Sequence, residues 1–295
     1  MELTVISGKG GTGKTTIAMA LSTLYQNCNM ADCDVDASNL YLYFESNDIK
    51  KEYFYAGKLA RIDERFCTEC GKCEQVCKFD AIKDNRIDPF KCEGCGACTL
   101  VCPENAIELK DKKAATAYIT KIGDGYLSRA QMEIGSDGSG KLVTHLRKRI
   151  RDLSDPDTVI IIDGSPGIGC PVISSITATD MVLIVTEPTM SGLSDFLRVA
   201  ELCEFFGIKM LACINKYDIN EQIGKDIENY CIGKGIELVG KVPYDDMILK
   251  SINELKPITE YPLSEANKAI RIMWDKIKVY TNEIIKKREG EEIEL

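Results

Sequence analysis

The chain has 295 residues, 44% hydrophobic and 28% charged, with a formal net charge of −9. Such a composition suits one large α/β core with a small satellite. No apolar run reaches the ~18–20 residues of a membrane span, and the acidic balance argues against nucleic acid as main partner, which needs a dense basic face.

Leu3–Ile6 is a glycine-bounded apolar run, predicted to be a buried parallel strand. The first residues lack a basic start and a small-residue cleavage site, so a cytoplasmic protein is expected. Gly8-Lys9-Gly10-Gly11-Thr12-Gly13-Lys14-Thr15 then satisfies G-x-x-x-x-G-K-[ST] between a strand and a helix. Its glycines let backbone N–H groups curl inward around a polyphosphate, and the helix N-terminus adds partial positive charge. Lys14 is expected on the β- and γ-phosphate oxygens and Thr15 Oγ on Mg²⁺, with Gly8, Gly10, Gly11, Thr12, Gly13 and Thr16 lining an ATP site.

Lys14–Tyr25 has helical spacing, and a short strand at Asn29–Ala31 leads into Asp32-Cys33-Asp34-Val35-Asp36. Fourteen cysteines are present, eight of them between Cys67 and Cys102. They form two C-x2-C-x2-C-x3-C runs, Cys67, Cys70, Cys73, Cys77 and Cys92, Cys95, Cys98, Cys102, in an internal repeat of 25 residues. Such spacing lets three thiolates converge on one [4Fe–4S] cluster while the fourth ligates the other. One cluster would use Cys67, Cys70, Cys73 and Cys102; the second, Cys92, Cys95, Cys98 and Cys77. Zinc is the competing reading, although zinc ribbons separate their cysteine pairs by a longer loop. Cys77 is followed by Lys78, where the ferredoxin pattern has proline.

Ala114–Ile122 and Tyr126–Ile134 are predicted to form a hairpin, followed by a glycine/serine loop and a helix over Lys141–Leu153. Strands are expected near Thr158–Ile162, Met181–Thr186, Lys209–Asn215 and Glu237–Val242, with helices between them and a last one over Ser264–Lys287. Alternation of this kind implies a mainly parallel, doubly wound sheet. The expected domains are residues 1–57 and 113–295 of an ATPase interrupted by an iron–sulfur insert over 58–112.

The phosphate loop with its second lysine, Lys9, resembles the deviant Walker A of the MinD/ParA and nitrogenase-iron-protein ATPases. That resemblance implies an ATP-dependent homodimer, or a heterodimer with a paralogue, in which Lys9 reaches the partner's nucleotide. Asp34 resembles the switch I aspartate that orients water near Mg²⁺, and Asp163 the Walker B aspartate that holds the ion through water. Asp163-Gly164-Ser165-Pro166-Gly167 looks like switch II, with the Gly167 N–H offered to the γ-phosphate. Asn215-Lys216 resembles the adenine-reading segment, and Val242-Pro243-Tyr244 the loop over the base. With the cysteine runs, the combination looks like MinD-superfamily ATPases carrying an inserted ferredoxin domain, relatives of Mrp-type iron–sulfur carriers. The implied fold is an α/β P-loop NTPase with a small α+β bacterial-ferredoxin-like insert. The implied function couples nucleotide state to electron transfer or metallocofactor assembly with a redox or assembly partner. The alternative is a MinD/ParA-like positioning ATPase with structural or sensory clusters.

Cys170 lies seven residues after Asp163, where relatives of the nitrogenase iron protein carry a cluster ligand, so it is expected to be a switch-coupled thiol or else a small semi-buried residue. Cys28, Cys33, Cys203, Cys213 and Cys231 are expected as core. Tyr53, Phe54, Tyr55, Phe66, Phe79 and Phe90 are expected to shield the clusters. Arg147-Lys148-Arg149-Ile150-Arg151 reads as a solvated helix face. The last helix carries Ile270, Met273, Ile277 and Tyr280 in a stripe expected to pack on the sheet. Lys286-Lys287-Arg288 is followed by glutamates that anionic lipid would repel, so no membrane anchor is expected.

Overall fold

The computed structural model describes residues 1–44 and 47–293, and side chains only as far as Lys287. The chain forms two compact units: Met1–Lys51, Ala117–Ala130 and the chain from Ser139 onward make the first; Glu52–Thr116 and Gln131–Gly138 make the second.

In the first unit, β1 (Glu2–Ser7) is buried at every residue, as an apolar run in mid-sheet must be. It pairs in parallel with β8 (Val159–Pro166) on one side and β9 (Met181–Thr186) on the other. Beyond β9 lie β10 (Lys209–Asn215) and β11 (Glu237–Val242), all parallel. Beyond β8 lies β2 (Cys28–Asp32), parallel to β8 and to β7 (Gly125–Met132). The sheet continues through β6 (Ile107–Ile122) to β3 (Asp48–Ile62), giving nine strands ordered β11-β10-β9-β1-β8-β2-β7-β6-β3. β3 and β6 each contribute residues to both units.

Side chains alternate between two apolar layers, as strand geometry requires. Leu3, Val5, Leu183, Val185, Leu211 and Cys213 face α1 (Lys14–Leu24) and α9 (Glu265–Ile293). Ile6, Val182, Ile184, Ala212 and Ile214 face α5 (Cys170–Ile176), α6 (Met190–Phe205) and α7 (Glu221–Lys234). Ile270, Met273 and Ile277 of α9 are fully buried, so this stripe packs on the sheet as expected. α9 starts one residue later than predicted and runs on past Lys287. The side chains from Arg288 onward, with most of the acidic tail, lie outside the described residues.

α4 (Ser139–Arg151) corrects one expectation. Its basic run is not a solvated face: Arg147 and Arg149 are buried, while Lys148 is exposed. Arg147 donates to Glu2 at 2.5 Å and to the carbonyls of Ser174 (2.6 Å) and Thr177 (2.7 Å) on and just after α5. Arg151 donates to the same Glu2 carboxylate at 2.5 Å. A helical period of 3.6 sets Arg147 and Arg151, four residues apart, on one face, where both reach the Glu2 carboxylate and Arg147 also reaches two carbonyls around the end of α5.

The second unit is built on two short helices, α2 (Lys72–Val76) and α3 (Ala97–Val101), and a two-stranded ribbon of β4 (Ile82–Lys83) and β5 (Arg86–Ile87). The repeat is visible in its details. Gly71 and Gly96, both left-handed, precede the helices, and Cys77 and Cys102 follow them. The Ala81 N–H donates to Cys77 Sγ at 3.4 Å, and that of Ala106 to Cys102 Sγ at 3.3 Å. The core is small: Ala60, Cys73, Ile82, Cys98 and Ile107. Tyr53, Tyr55, Phe66 and Phe90 are exposed and line neither of the two thiol-rich cavities of this unit, whereas Phe79, though half exposed, lines one of them.

Candidate functional site

Parallel strands place their C-terminal ends along one edge, where loops can reach one ligand. β1 leads into Gly8–Thr15, β2 into Asp34, β8 carries Asp163, β10 ends at Asn215 and β11 precedes Pro243. The pairing Asp32↔Asp163 sets the acids of two loops side by side.

Lys14, the first residue of α1, is buried, and its Nζ donates to Asp163 Oδ1 at 2.7 Å and lies 3.4 Å from Asp34 Oδ2. Burial works against its charge, but Asp163, Asp34 and Asp32 outweigh that and hold the ammonium above its ordinary range. Thr15 Oγ1 donates to Asp163 Oδ2 at 2.7 Å. Burial and the neighbouring Asp163 push Asp32 up to about 7, although Ser38 Oγ (2.7 Å) and the Leu40 N–H (3.2 Å) donate to it. Burial raises Asp34 also, against the pull of Lys14.

The Thr12 hydroxyl is buried in the loop and has no hydrogen-bond partner among the described residues. A buried hydroxyl of this kind, in the loop that enters the N-terminus of α1, fits an anion as its partner. Gly13 (φ 89°) must be glycine: a Cβ there would sit 2.3 Å from Asn215 Nδ2. Asn215 in turn donates to the Thr12 carbonyl at 2.8 Å. Next to it opens a mostly apolar cleft of about 200 Å³, lined by Thr16, Ile17, Asn215, Pro243, Tyr244 and Ile248 of α8 (Asp246–Asn253). Its apolar lining with a few polar groups suits a flat heterocycle.

The remaining expected residues are placed as follows. The Gly167 N–H donates to the Ser7 carbonyl at 2.8 Å, so it is engaged with β1, whereas the sequence has it offered to phosphate. Lys9 Nζ is 2.7 Å from Glu187 and donates to Ser191 Oγ at 2.9 Å within its own subunit. Glu187 was not anticipated; its signal is the one Asp163 has, an acid ending a buried apolar strand. Cys170 is exposed at the start of α5. Cys33, Cys203, Cys213 and Cys231 are buried, and Cys28 is partly so.

In the second unit, Cys77, Cys92, Cys95 and Cys98 line one small cavity of about 20 Å³. Cys67, Cys70, Cys73 and Cys102 line another of the same size. Each therefore takes three thiols from one run and one from the other. Among the described residues, no three His, Cys, Asp or Glu side chains close in tightly enough to hold a single metal ion. No helix among them is long and apolar enough to cross a membrane.

A family model described as the CobQ/CobB/MinD/ParA nucleotide binding domain matches residues 3–258. An uncharacterized protein of Methanocaldococcus jannaschii is 35% identical over 283 residues, 95% of this chain and 97% of that protein. An uncharacterized ATP-binding protein of the same organism is 30% identical over 263 residues, 86% of this chain and 89% of that one. The solved septum site-determining protein MinD complexed with Mg-ADP, from Pyrococcus horikoshii, matches with a TM-score of 0.58 at 18% identity, over 94% of this chain and 95% of that one. At that identity the likeness is one of fold.

Proposed function

Because the chain belongs to the CobQ/CobB/MinD/ParA nucleotide-binding family and is a P-loop ATPase of the MinD/ParA kind, we propose that it uses MgATP to switch its contacts with a second subunit and a partner protein, and that its cysteine unit carries two [4Fe–4S] clusters. The nucleotide half rests on one observation: Lys14 and Thr15, at the end of a glycine loop between β1 and α1, converge on Asp163. When bound, Mg²⁺ supplies charge neutralisation and a template between the phosphates. Lys14 then leaves Asp163 for phosphate, freeing Asp163 and Thr15 Oγ for the cation side. Asp34 is left to orient water, and Asn215, Pro243 and Tyr244 hold the base. Domain limits of 1–57, 58–112 and 113–295 express the same reading of the chain.

The cluster half is supported by the two thiol-lined cavities, which repeat the crossed ligand sets of the sequence. Three thiols from one run with a fourth from the other suit the crossed pattern of a two-cluster ferredoxin better than a zinc ribbon, whose cysteine pairs are separated by a longer loop. The output is then electron delivery or metallocofactor assembly. A second reading is a positioning ATPase with structural or sensory clusters, and the comparisons favour it over a redox output, since the family model that matches most of the chain is named for MinD and ParA.

Anaerobic purification, iron and sulfide analysis, and redox titration followed by EPR with and without MgATP test these readings. Some eight irons per chain, with a potential that falls on adding MgATP, supports the redox output. An iron-free protein with full ATPase activity would remove the clusters. Iron present at potentials indifferent to MgATP would leave the positioning reading.

A further inference from the structure

Glu187 follows β9 at the strand edge that carries the nucleotide loop, with a side chain only 12% exposed. Its two oxygens hold two different lysines. Oε1 is 2.7 Å from Lys9 Nζ in the phosphate loop, and Oε2 accepts from Lys216 Nζ at 3.2 Å beside the apolar cleft. Both lysines are otherwise constrained. Ser7 Oγ donates to the Lys9 carbonyl at 2.8 Å, and Lys9 Nζ also donates to Ser191 Oγ and, at 3.4 Å, to Thr189 Oγ1. Lys216 has a left-handed backbone (φ 51°), stabilised by its N–H donating to Asn215 Oδ1 at 3.0 Å.

The carboxylate itself stands on a rigid turn. The Thr189 N–H donates to the Glu187 carbonyl at 2.8 Å, Thr189 Oγ1 caps α6 by accepting from the Gly192 N–H at 2.9 Å, and Thr186 Oγ1 donates to the Gly192 carbonyl at 3.0 Å. A Cβ on Gly192 would lie 2.2 Å from the Glu187 carbonyl oxygen, so α6 and this turn are pressed together. Burial works to raise the Glu187 carboxyl, but hydrogen bonds from Lys9 and Lys216 outweigh it and keep it below the usual range. The loop's two lysines thus have separate counter-ions, Asp163 for Lys14 and Glu187 for Lys9.

We propose that Glu187 is a positioning residue of the ATPase, a shared counter-ion that restrains Lys9 and Lys216 together until a nucleoside triphosphate displaces it. The inference rests on the nucleotide site proposed above and adds its regulation. A polyphosphate brings more negative charge than one carboxylate, so it competes for Lys9, and the same exchange loosens Lys216 at the mouth of the base cleft. Loop and cleft are thereby coupled through one side chain, and the competing carboxylate weakens nucleotide affinity in the resting subunit.

The test is equilibrium binding of a fluorescent ribose-modified ATP with Mg²⁺, together with KM and kcat, on the full chain. Wild type must bind first; if it does not, the nucleotide site itself falls, independently of Glu187. Glu187→Gln is expected to bind about three- to tenfold more tightly, the scale of a partly exposed ion pair. KM should fall with it. The gain should be smaller when Lys9→Ala or Lys216→Ala is already present, because the latch has then lost a partner. Equal gains in all backgrounds, within about twofold, would overturn the proposal. So would unchanged or weaker binding by Glu187→Gln. Should that variant not fold, Glu187→Asp keeps the charge but lengthens both pairs, and is expected to tighten binding in the same direction. Looser binding by Glu187→Asp would equally overturn it.

Discussion

Lys14 is held by Asp163 and Asp34 in a site screened from water, where α1 begins. Lys14→Ala is therefore expected to lower MgATP turnover by about 100-fold or more, the loss typical of a preorganised charge at a phosphoryl site. Steady-state ATPase assays check it. Thiol chemistry separates the scattered cysteines. Burial pushes Cys203 and Cys213 up to about 12 and Cys231 to about 11, whereas Cys170 is exposed. Iodoacetamide at pH 8 is expected to modify Cys170 and spare these three in the folded protein, read by peptide mass spectrometry. Their folded values lie above the ordinary thiol value of about 9, so the folded state binds their protons more tightly. The stability they contribute is complete below pH 9 and is lost as pH rises from 9 toward 12. A guanidinium midpoint lower at pH 10.5 than at pH 8, with less decline in Cys213→Ala, is the expected result. At this scale the buried cysteines were legible from their apolar neighbours. The Lys9–Glu187 pair was not, since no local pattern joins two loops so far apart in the chain.

At the scale of elements, α4 shows how period and partners divide like residues. Arg147 and Lys148 are adjacent and equally charged, yet one is buried on Glu2 and the carbonyls around α5 and the other faces water. Arg147→Ala is expected to cost about 2–4 kcal/mol, since Glu2 is left buried with only Arg151, while Lys148→Ala stays within about 0.5 kcal/mol. Denaturant titration distinguishes them. The basic run misled because composition records charge and not the carboxylate that receives it; Glu2 sits at the other end of the domain sequence. By contrast, the α9 stripe was readable from spacing alone, because a period of 3.6 declares a buried face without naming what covers it. Met273→Ala is expected to cost about 2–5 kcal/mol, as it empties a site packed against Gly240.

Over the whole molecule, the two units have unequal means of stability. The first has two extensive apolar layers on either side of its sheet. The second has a core of Ala60, Cys73, Ile82, Cys98 and Ile107, two of them thiols that the proposed clusters would use. Cores that small ordinarily need a metal or disulfide to persist. On the proposed cluster reading, chelator under reduction is therefore expected to abolish hydrogen-exchange protection in peptides spanning residues 60–110. Peptides from β1, β8 and β9 should remain protected. Protection that survives in both units would mean the small core stands without clusters.

The sequence by itself determined the chemistry that is contiguous along the chain. A phosphate loop, two thiol runs with their 25-residue repeat, and the alternation of apolar strands with helices are each written within a few dozen residues. Only the tertiary structure decided which distant charges meet: Glu187 with Lys9 and Lys216, Glu2 with Arg147 and Arg151, the Gly167 N–H with Ser7. Parallel strand order brings these groups to one edge or one layer, and each such pairing depends on crossovers whose neighbours in space are strangers in sequence.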